Sequence, residues 1–478
     1  MVDQVHKTPG FSAALLAAAL LLSAAGCGTQ GTGGGGGGGG GTVFGPISFS
    51  NPTPDSTVDA PFELSASGSG IFRVFFFVNG ALVHEDRDAP YTCQVDPAAL
   101  PKGMNTYRIS AQAAGGGEVF RDFSLTVVRP RPPLGDMLAA ISALGPGEWY
   151  EIPESLMRDA NWPVPFGGGR GNQSTIIFSA SGGAYDTKRD RLVVWGSGGD
   201  AFREDLYVFS MRTLTWSRLT DPPAWPAGGD RNALDLVTHL DGTPVARHSN
   251  DTLEYLPDPV DRLFLGGGAV DGSRGLIGDT NVYLFDFGTN RWSIAGAVGA
   301  IGLGSHNAVG PDGRVWQQGG GGQPGGHLAA VDVVAGTTSE HHHLTTFYDI
   351  EATSEIDPVR NRFVAVGNHR TRVWNLALPD AAPVDVVTTG DKEIESARNP
   401  GLVYHPASGH LIAWAGGKDV YRFDLGTLVW TKVAGAGAVD PGPAATRGTY
   451  GRWRYVPSLD VFVVVSNVDA NVFVYRLP

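Results

Sequence analysis

One motif recurs along the C-terminal part of the chain and restricts its fold more than any other feature. A tight turn leads into a hydrophobic strand that ends in glycine or a small residue. It occurs as Asp190-Arg191-Leu192-Val193-Val194-Trp195-Gly196, Asp261-Arg262-Leu263-Phe264-Leu265-Gly266-Gly267 and Gly313-Arg314-Val315-Trp316-Gln317-Gln318-Gly319. It returns as Asn361-Arg362-Phe363-Val364-Ala365-Val366-Gly367, Gly409-His410-Leu411-Ile412-Ala413-Trp414-Ala415-Gly416 and Asp460-Val461-Phe462-Val463-Val464-Val465-Ser466. The period is about 50 residues, the length of one supersecondary unit in a repeat array. The first gap is longer and holds an insertion at 220–241. Before each motif lies another strand and a turn, built on Tyr185-Asp186, Asp258-Pro259, Pro311-Asp312, Asp357-Pro358, His405-Pro406 and Val456-Pro457. Pro and Asp suit these turns for backbone reasons, so they are punctuation rather than chemistry.

After each motif comes a third strand, and in three copies a fourth that carries tryptophan. Tyr207-Val208-Phe209 leads to Trp216, Tyr283-Leu284-Phe285-Asp286 to Trp292, and Tyr421-Arg422-Phe423-Asp424 to Trp430. This succession resembles the kelch repeat of the galactose-oxidase-like propellers. The third and fourth copies keep the strands without that tryptophan. The sixth copy runs out at Val472–Pro478 with three strands, while Gly147-Glu148-Trp149-Tyr150-Glu151-Ile152 stands alone upstream with the tryptophan pattern. Pairing the two would remove an exposed edge and close a ring. The expectation is an all-β chain: an N-terminal Ig-like β-sandwich followed by a six-bladed kelch-type β-propeller over 147–478, closed by an N-terminal strand.

The segment before the repeats divides by composition. Residues 11–25 form an apolar run too short for a membrane span of about 20 residues, which suits the core of a signal peptide. It ends in Ser23-Ala24-Ala25-Gly26-Cys27, which resembles the lipobox of bacterial lipoproteins. That resemblance implies a signal peptide at 1–27 and lipidation of Cys27, hence a membrane anchor in the bacterial cell envelope. The alternative is a plain secretory signal cut near Gly26. Residues 28–42, with an unbroken glycine tract, read as a flexible tether. Strand-like alternation then runs over 43–128, with Asn79-Gly80 as a two-residue hairpin turn. Val74-Phe75-Phe76-Phe77-Val78-Asn79-Gly80, Asp88-Ala89-Pro90-Tyr91, Asp96, Leu100, Gly103 and Ala111 resemble the bacterial Ig-like domain, which implies a spacer or adhesion module. Residues 129–146 hold a stiff Arg-Pro-Arg-Pro-Pro stretch and a short helix at 134–144.

Charge and cysteine usage exclude several functions. The net charge is −13 and no Lys/Arg cluster occurs, which argues against a nucleic-acid partner. There are two cysteines, Cys27 and Cys93, so Cys93 is expected as a lone buried thiol. The chain has no cysteine after Cys93. The Cys–Tyr cross-link of a copper radical oxidase is therefore excluded, and no cofactor is expected.

In the geometry that the kelch resemblance implies, the first strand of each blade lines a central channel and begins at one mouth. Polar residues recur there: Arg170 and Asn172, Arg247 and His248, Ser305 and His306, Asp349 and Glu351, Glu395 and Arg398, Arg447 and Tyr450. Convergent polar groups of this kind make a ligand pocket. A water-filled, mutually neutralising lining is the alternative. Glu351 or Glu395 could serve as acid or base near His306 and Arg398 if the chain were a hydrolase or epimerase. His341 and His343 would share one face of a strand, but no third ligand lies at a suitable spacing, so no metal site is expected. The expected function is a cell-envelope binding or interaction protein that takes a glycan or protein ligand at the mouth. A carbohydrate-active enzyme is the alternative.

Overall fold

The computed structural model describes residues 45–100, 103–128, 130–160, 175–178, 181–196, 204–221, 236–272, 275–301, 305–319, 327–343 and 352–478. The signal segment, Cys27 and the glycine tether lie outside them, as does most of the insertion at 220–241. The described residues are all-β apart from short helical turns and one helix, Leu134–Ser142, whose Met137 and Ile141 are buried at i,i+4 spacing. It separates into two compact units, Met1–Arg129 and Pro130–Pro478.

The first unit is a sandwich of two sheets. One runs in the order Ser48–Ser50, Phe62–Ser67, Tyr91–Val95. The other runs Thr57–Val58, Glu118–Val127, Gly103–Ala113, Ile71–Val78, Ala81–Asp86. Alternation along Ile71–Val78 sends Val74, Phe76 and Val78 inward, where they meet Leu64, Ile109 and Leu125. Asn79 and Gly80 both take positive φ, 51° and 79°, as the hairpin turn between Ile71–Val78 and Ala81–Asp86 demands. Cys93 is a free, buried thiol in this core, and burial pushes its pKa up. An apolar wall surrounds it, which suits a packing role.

Among the described residues the second unit contains six sheets whose four principal strands are antiparallel and follow one plan. Their first strands are Gly183–Asp186, Leu253–Leu256, His306–Val309, Ala352–Asp357, Gly401–His405 and Trp453–Val456. Each neighbours the first strand of the next sheet, and Trp453–Val456 neighbours Gly183–Asp186. In every copy the turn just ahead of the second strand holds a residue at positive φ: Asp190 56°, Asp261 49°, Gly313 80°, Asn361 51°, Gly409 68° and Asp460 51°. Asp, Asn and Gly tolerate this left-handed region far better than other residues, which is why those three types alone occupy the position. Where the fourth strand carries tryptophan, the ring meets a phenylalanine directly across the ladder. Phe209–Trp216 and Phe285–Trp292 centroids lie 5.2 Å apart and Phe423–Trp430 4.6 Å. Cross-strand aromatic pairs of this type stabilise each sheet by about 0.2–1 kcal/mol relative to small residues.

The sixth sheet takes its fourth strand from the start of the unit. Trp149–Ile152 pairs antiparallel with Val472–Tyr475, and Trp149 stands opposite Tyr475 in the place held elsewhere by the Phe–Trp pair. Close packing between first strands has its own requirement. A Cβ on Gly401 would lie 2.3 Å from Trp453 Cβ, so only glycine fits there.

Candidate functional site

Three first strands each carry a charged residue, two of them among apolar neighbours. Glu254 interrupts Leu253-Glu254-Tyr255-Leu256, Glu355 interrupts Ala352–Asp357, and Arg454 interrupts Trp453-Arg454-Tyr455-Val456. The three come together. Arg454 Nη2 donates to Glu254 Oε1 at 3.2 Å, and its Nη1 lies 4.0 Å from Glu355 Oε2. The same guanidinium donates to the carbonyls of Gly451, Gly183 and Leu253 at 3.0, 3.0 and 3.4 Å. Asp251, just ahead of Leu253–Leu256, joins the group, and its Oδ2 accepts the Ser354 N–H at 3.0 Å.

Two buried carboxyls and the partly exposed Glu355 thus face one buried guanidinium. Burial raises the Asp251 pKa to about 7 and that of Glu254 to about 8, against the lowering pull of Arg454. Glu355 is raised for the same reason. Burial works against the Arg454 charge, but the carboxyls outweigh it and keep the guanidinium protonated. The cluster joins strands of four sheets through one side chain. No group of three or more His, Cys, Asp or Glu suited to a metal occurs among the described residues.

Upstream of these strands lie the residues expected at the mouth. Arg170, Asn172, Asp349 and Glu351 are outside the described residues. Arg247 is fully buried: it donates to the carbonyls of Val245, Gly267 and Val237 and to Asp279, and its guanidinium lies 5.0 Å from the Tyr283 ring centroid. The His248 N–H donates to Ala269 O at 2.9 Å. Ser305 and His306 are buried, and the His306 ring stacks on Phe363 at 5.9 Å. Burial, then the Arg372 charge, pushes the His306 pKa down to about 3, so the ring stays neutral at physiological pH.

Glu395 is also buried. Its Oε1 accepts Thr371 Oγ1 at 2.6 Å, Thr388 Oγ1 at 2.8 Å and Trp430 Nε1 at 3.2 Å. These bonds hold the short turn Lys392–Ser396 against its sheet. The expected outcome for Glu395→Gln is a stability loss of about 1–3 kcal/mol in urea denaturation, because one of three converging donors meets an amide that is a poorer acceptor. A variant as stable as the parent would remove this structural assignment.

Arg398, Arg447 and Tyr450 form a different group. Arg398 is exposed, Arg447 is half-buried and Tyr450 is buried. Asn399 Nδ2 donates to the Tyr450 hydroxyl and to Arg447 O, both at 2.8 Å. Burial pushes the Tyr450 pKa above its ordinary value, against the opposing charges of Arg398, Arg452 and Arg447. Arg452 donates to the backbone carbonyls of Ser181, Val465 and Gly448, and burial lowers its pKa to about 10. Neighbouring segments interlock at this level: Thr449 N–H donates to Asn399 O at 2.8 Å, and Asn307 N–H to Asp251 O at 2.8 Å.

Of the two histidines weighed for a metal, His341 stacks on Trp316 at 5.5 Å, and its Nδ1 lies 3.1 Å from Asp380 Oδ1. Sequence reading missed Asp251, Glu254, Glu355, Arg454 and Asn399. For Glu254 and Arg454 the available signal was a charge inside an otherwise apolar strand, which a buried position tolerates only when paired.

Among solved structures, the chain is similar to an auxiliary nutrient binding protein from Bacteroides ovatus, at 10% identity over 91% of this chain and 97% of that one, with a TM-score of 0.41. It is similar to YjhT at 12% identity over 64% of this chain and 99% of that one, with a TM-score of 0.40. The fibronectin(III)-like modules of Clostridium thermocellum CbhA align at 22% identity over 18% of this chain and all of that one, with a TM-score of 0.16. No curated protein matches the chain. Residues 46–109 match the bacterial Ig domain.

Proposed function

We propose that the second unit is a six-bladed kelch-type β-propeller closed by Trp149–Ile152, and that the chain is an exported envelope protein binding a glycan or protein at the propeller mouth. In this reading Cys27 carries a lipid anchor, residues 28–42 are a tether and the Ig-like unit is a spacer. The single observation that carries the binding role is the contrast between two levels of the second unit. The cluster of Arg454 with Glu254, Asp251 and the partly exposed Glu355 lies in the packed interior, whereas the segments leading into the first strands expose Arg398 and half-expose Arg447. Charged groups held at one end of a packed core suit recognition of a polar ligand more than passage through the core.

The test is a glycan array probed with the full-length protein, followed by hydrogen exchange with and without the strongest ligand. Protection at 247–251, 305–309, 398–401 and 447–453 is expected, with the glycan recovered unchanged. Protection confined to the Ig-like unit would overturn the mouth as binding face. Recovery of a cleaved or epimerised glycan would replace binding with catalysis. In the same cells, Cys27→Ser should move the protein from the membrane to the soluble fraction, and unchanged fractionation would remove the anchor.

A further inference from the structure

The first strands of the second unit form a ring, each packed against the two beside it. Groups from the second, fourth and sixth of them can therefore meet only across the centre. Glu254, Glu355 and Arg454 come from those three strands and meet there, the two carboxylates lying 3.2 and 4.0 Å from the guanidinium. Asp251 reaches the same centre from a kink. Asn250 turns the chain at φ 48°, in the left-handed region that Asn tolerates. Ser249 O closes the kink by accepting the Thr252 N–H at 2.9 Å and the Thr252 hydroxyl at 2.6 Å. Gly182 leaves room for it, since a Cβ there would lie 2.3 Å from Asn250 O. From this position Asp251 O accepts the Asn307 N–H at 2.8 Å and Oδ2 accepts the Ser354 N–H at 3.0 Å. The carboxyl also takes the Gly451 N–H. One residue thus ties the second sheet to the third, the fourth and the segment leading into the sixth.

The charges at this centre do not balance. One guanidinium faces three carboxyls, so full ionisation leaves negative charge in surplus away from bulk water. The other ionisable groups against the kink do not offset it. His306, bridged to Asp251 along the backbone, is neutral above pH about 3. Burial keeps the Tyr450 hydroxyl protonated well past neutrality. Arg452 is turned to the carbonyls of Ser181, Val465 and Gly448. Burial accordingly holds Asp251 and Glu254 protonated up to about pH 7 and about pH 8.

We propose that the kink at Ser249–Thr252 is a proton-operated plug at the centre of the ring, seated while Asp251, Glu254 and Glu355 are protonated around Arg454 and released as they ionise. Once released, the carboxyls meet water and ionise at their ordinary values, near pH about 4. Seating is therefore favoured most below that pH and is lost as pH rises through about 7 and about 8. Each carboxyl makes release about tenfold easier per pH unit inside that window. Asn307 and Gly451 belong to the mouth segments, so the plug sets the floor of the proposed binding face. That consequence rests on the binding reading, and the plug itself does not.

The experiment is hydrogen exchange of the full-length protein without ligand at pH 6 and pH 9, corrected for intrinsic exchange, with and without urea below the unfolding transition. Peptides spanning 249–256, 305–309, 352–357 and 449–456 should lose protection by at least about tenfold at pH 9, and the loss should not grow with urea. Glu254→Gln/Glu355→Gln leaves Asp251 alone with Arg454, and its protection at the two pH values should agree within about twofold. Glu355→Gln, at the most exposed of the three, should recover about threefold by itself, and it decides the matter if the double variant is already unprotected at pH 6. Equal protection of the parent at both pH values overturns the plug. So does a loss that grows with urea, which marks global unfolding, or a loss at pH 9 that neither variant reduces. The binding reading fails separately, through the exchange measured with bound glycan.

Discussion

Arg454→Met is expected to destabilise the second unit by about 3–5 kcal/mol at pH 8, and by much less at pH 4. The guanidinium is the cation that offsets Glu254, Glu355 and Asp251 in a buried setting. Methionine keeps most of the volume, so the deficit at high pH measures charge rather than packing. The sign follows from the direction of the shifts. These carboxyls have folded pKa values above their unfolded ones, with Asp251 at about 7 and Glu254 at about 8. The folded state therefore holds protons that the unfolded state has released. Their contribution is fully present below pH about 4 and is lost as pH rises through the folded values. In the parent protein each such group lowers stability by up to about 1.4 kcal/mol per pH unit inside that window.

Without Arg454 the folded values climb further and the loss persists to higher pH. At pH 4 the three carboxyls are largely neutral in the folded state, so little charge remains for Arg454 to offset, and the residual cost is that of the carbonyls of Gly451, Gly183 and Leu253 losing a donor. All 11 tryptophans lie in the second unit, so urea denaturation followed by tryptophan fluorescence reports on it alone. An equal loss at pH 4 and pH 8 would show that the cluster is not held by charge.

Local rules were legible in the sequence, and the assembly of distant strands was not. The six turn positions announced themselves because a positive φ admits little beyond Asp, Asn and Gly, and all six hold one of these. The Phe–Trp ladders were visible because both partners lie within one hairpin, as Phe209 and Trp216 do. The ion cluster joins Glu254, Glu355 and Arg454 from three sheets, with 200 residues between Glu254 and Arg454. Periodicity along one strand flags a charge out of place but does not identify its partner. Glu395 illustrates the converse. It was read at the mouth from its position ahead of a first strand, yet a short helical turn aims it at Thr371, Thr388 and Trp430. Arg247 is likewise engaged by Asp279 and three carbonyls, a set of partners drawn from 237–279 that no local pattern reveals.

The same separation makes Trp149→Ala the second large effect. Trp149 is 3% exposed, and its ring lies 4.8 Å from Tyr475, 5.8 Å from Trp453 and 6.0 Å from Trp414. Its Nε1 donates to Lys418 O at 2.8 Å. Truncation of a buried tryptophan costs about 3–5 kcal/mol through lost transfer energy and the cavity left behind. A second consequence is particular to this strand. Trp216 and Trp292 sit on hairpins, so their strands remain tethered to their partners when packing weakens. Trp149–Ile152 reaches Val472–Tyr475 from the other end of the unit and is held by ladder bonds and side chains. Loss of the anchor should free the outer edge of Val472–Tyr475, and an unpaired edge recruits another chain. Light scattering at urea concentrations below the unfolding transition should therefore rise for Trp149→Ala and stay flat for Trp216→Ala. A loss below about 1 kcal/mol, with scattering unchanged, would mean that the strand is retained without its tryptophan and that Gly147 and Glu148, bonded to Arg476 and Ala436, hold it instead.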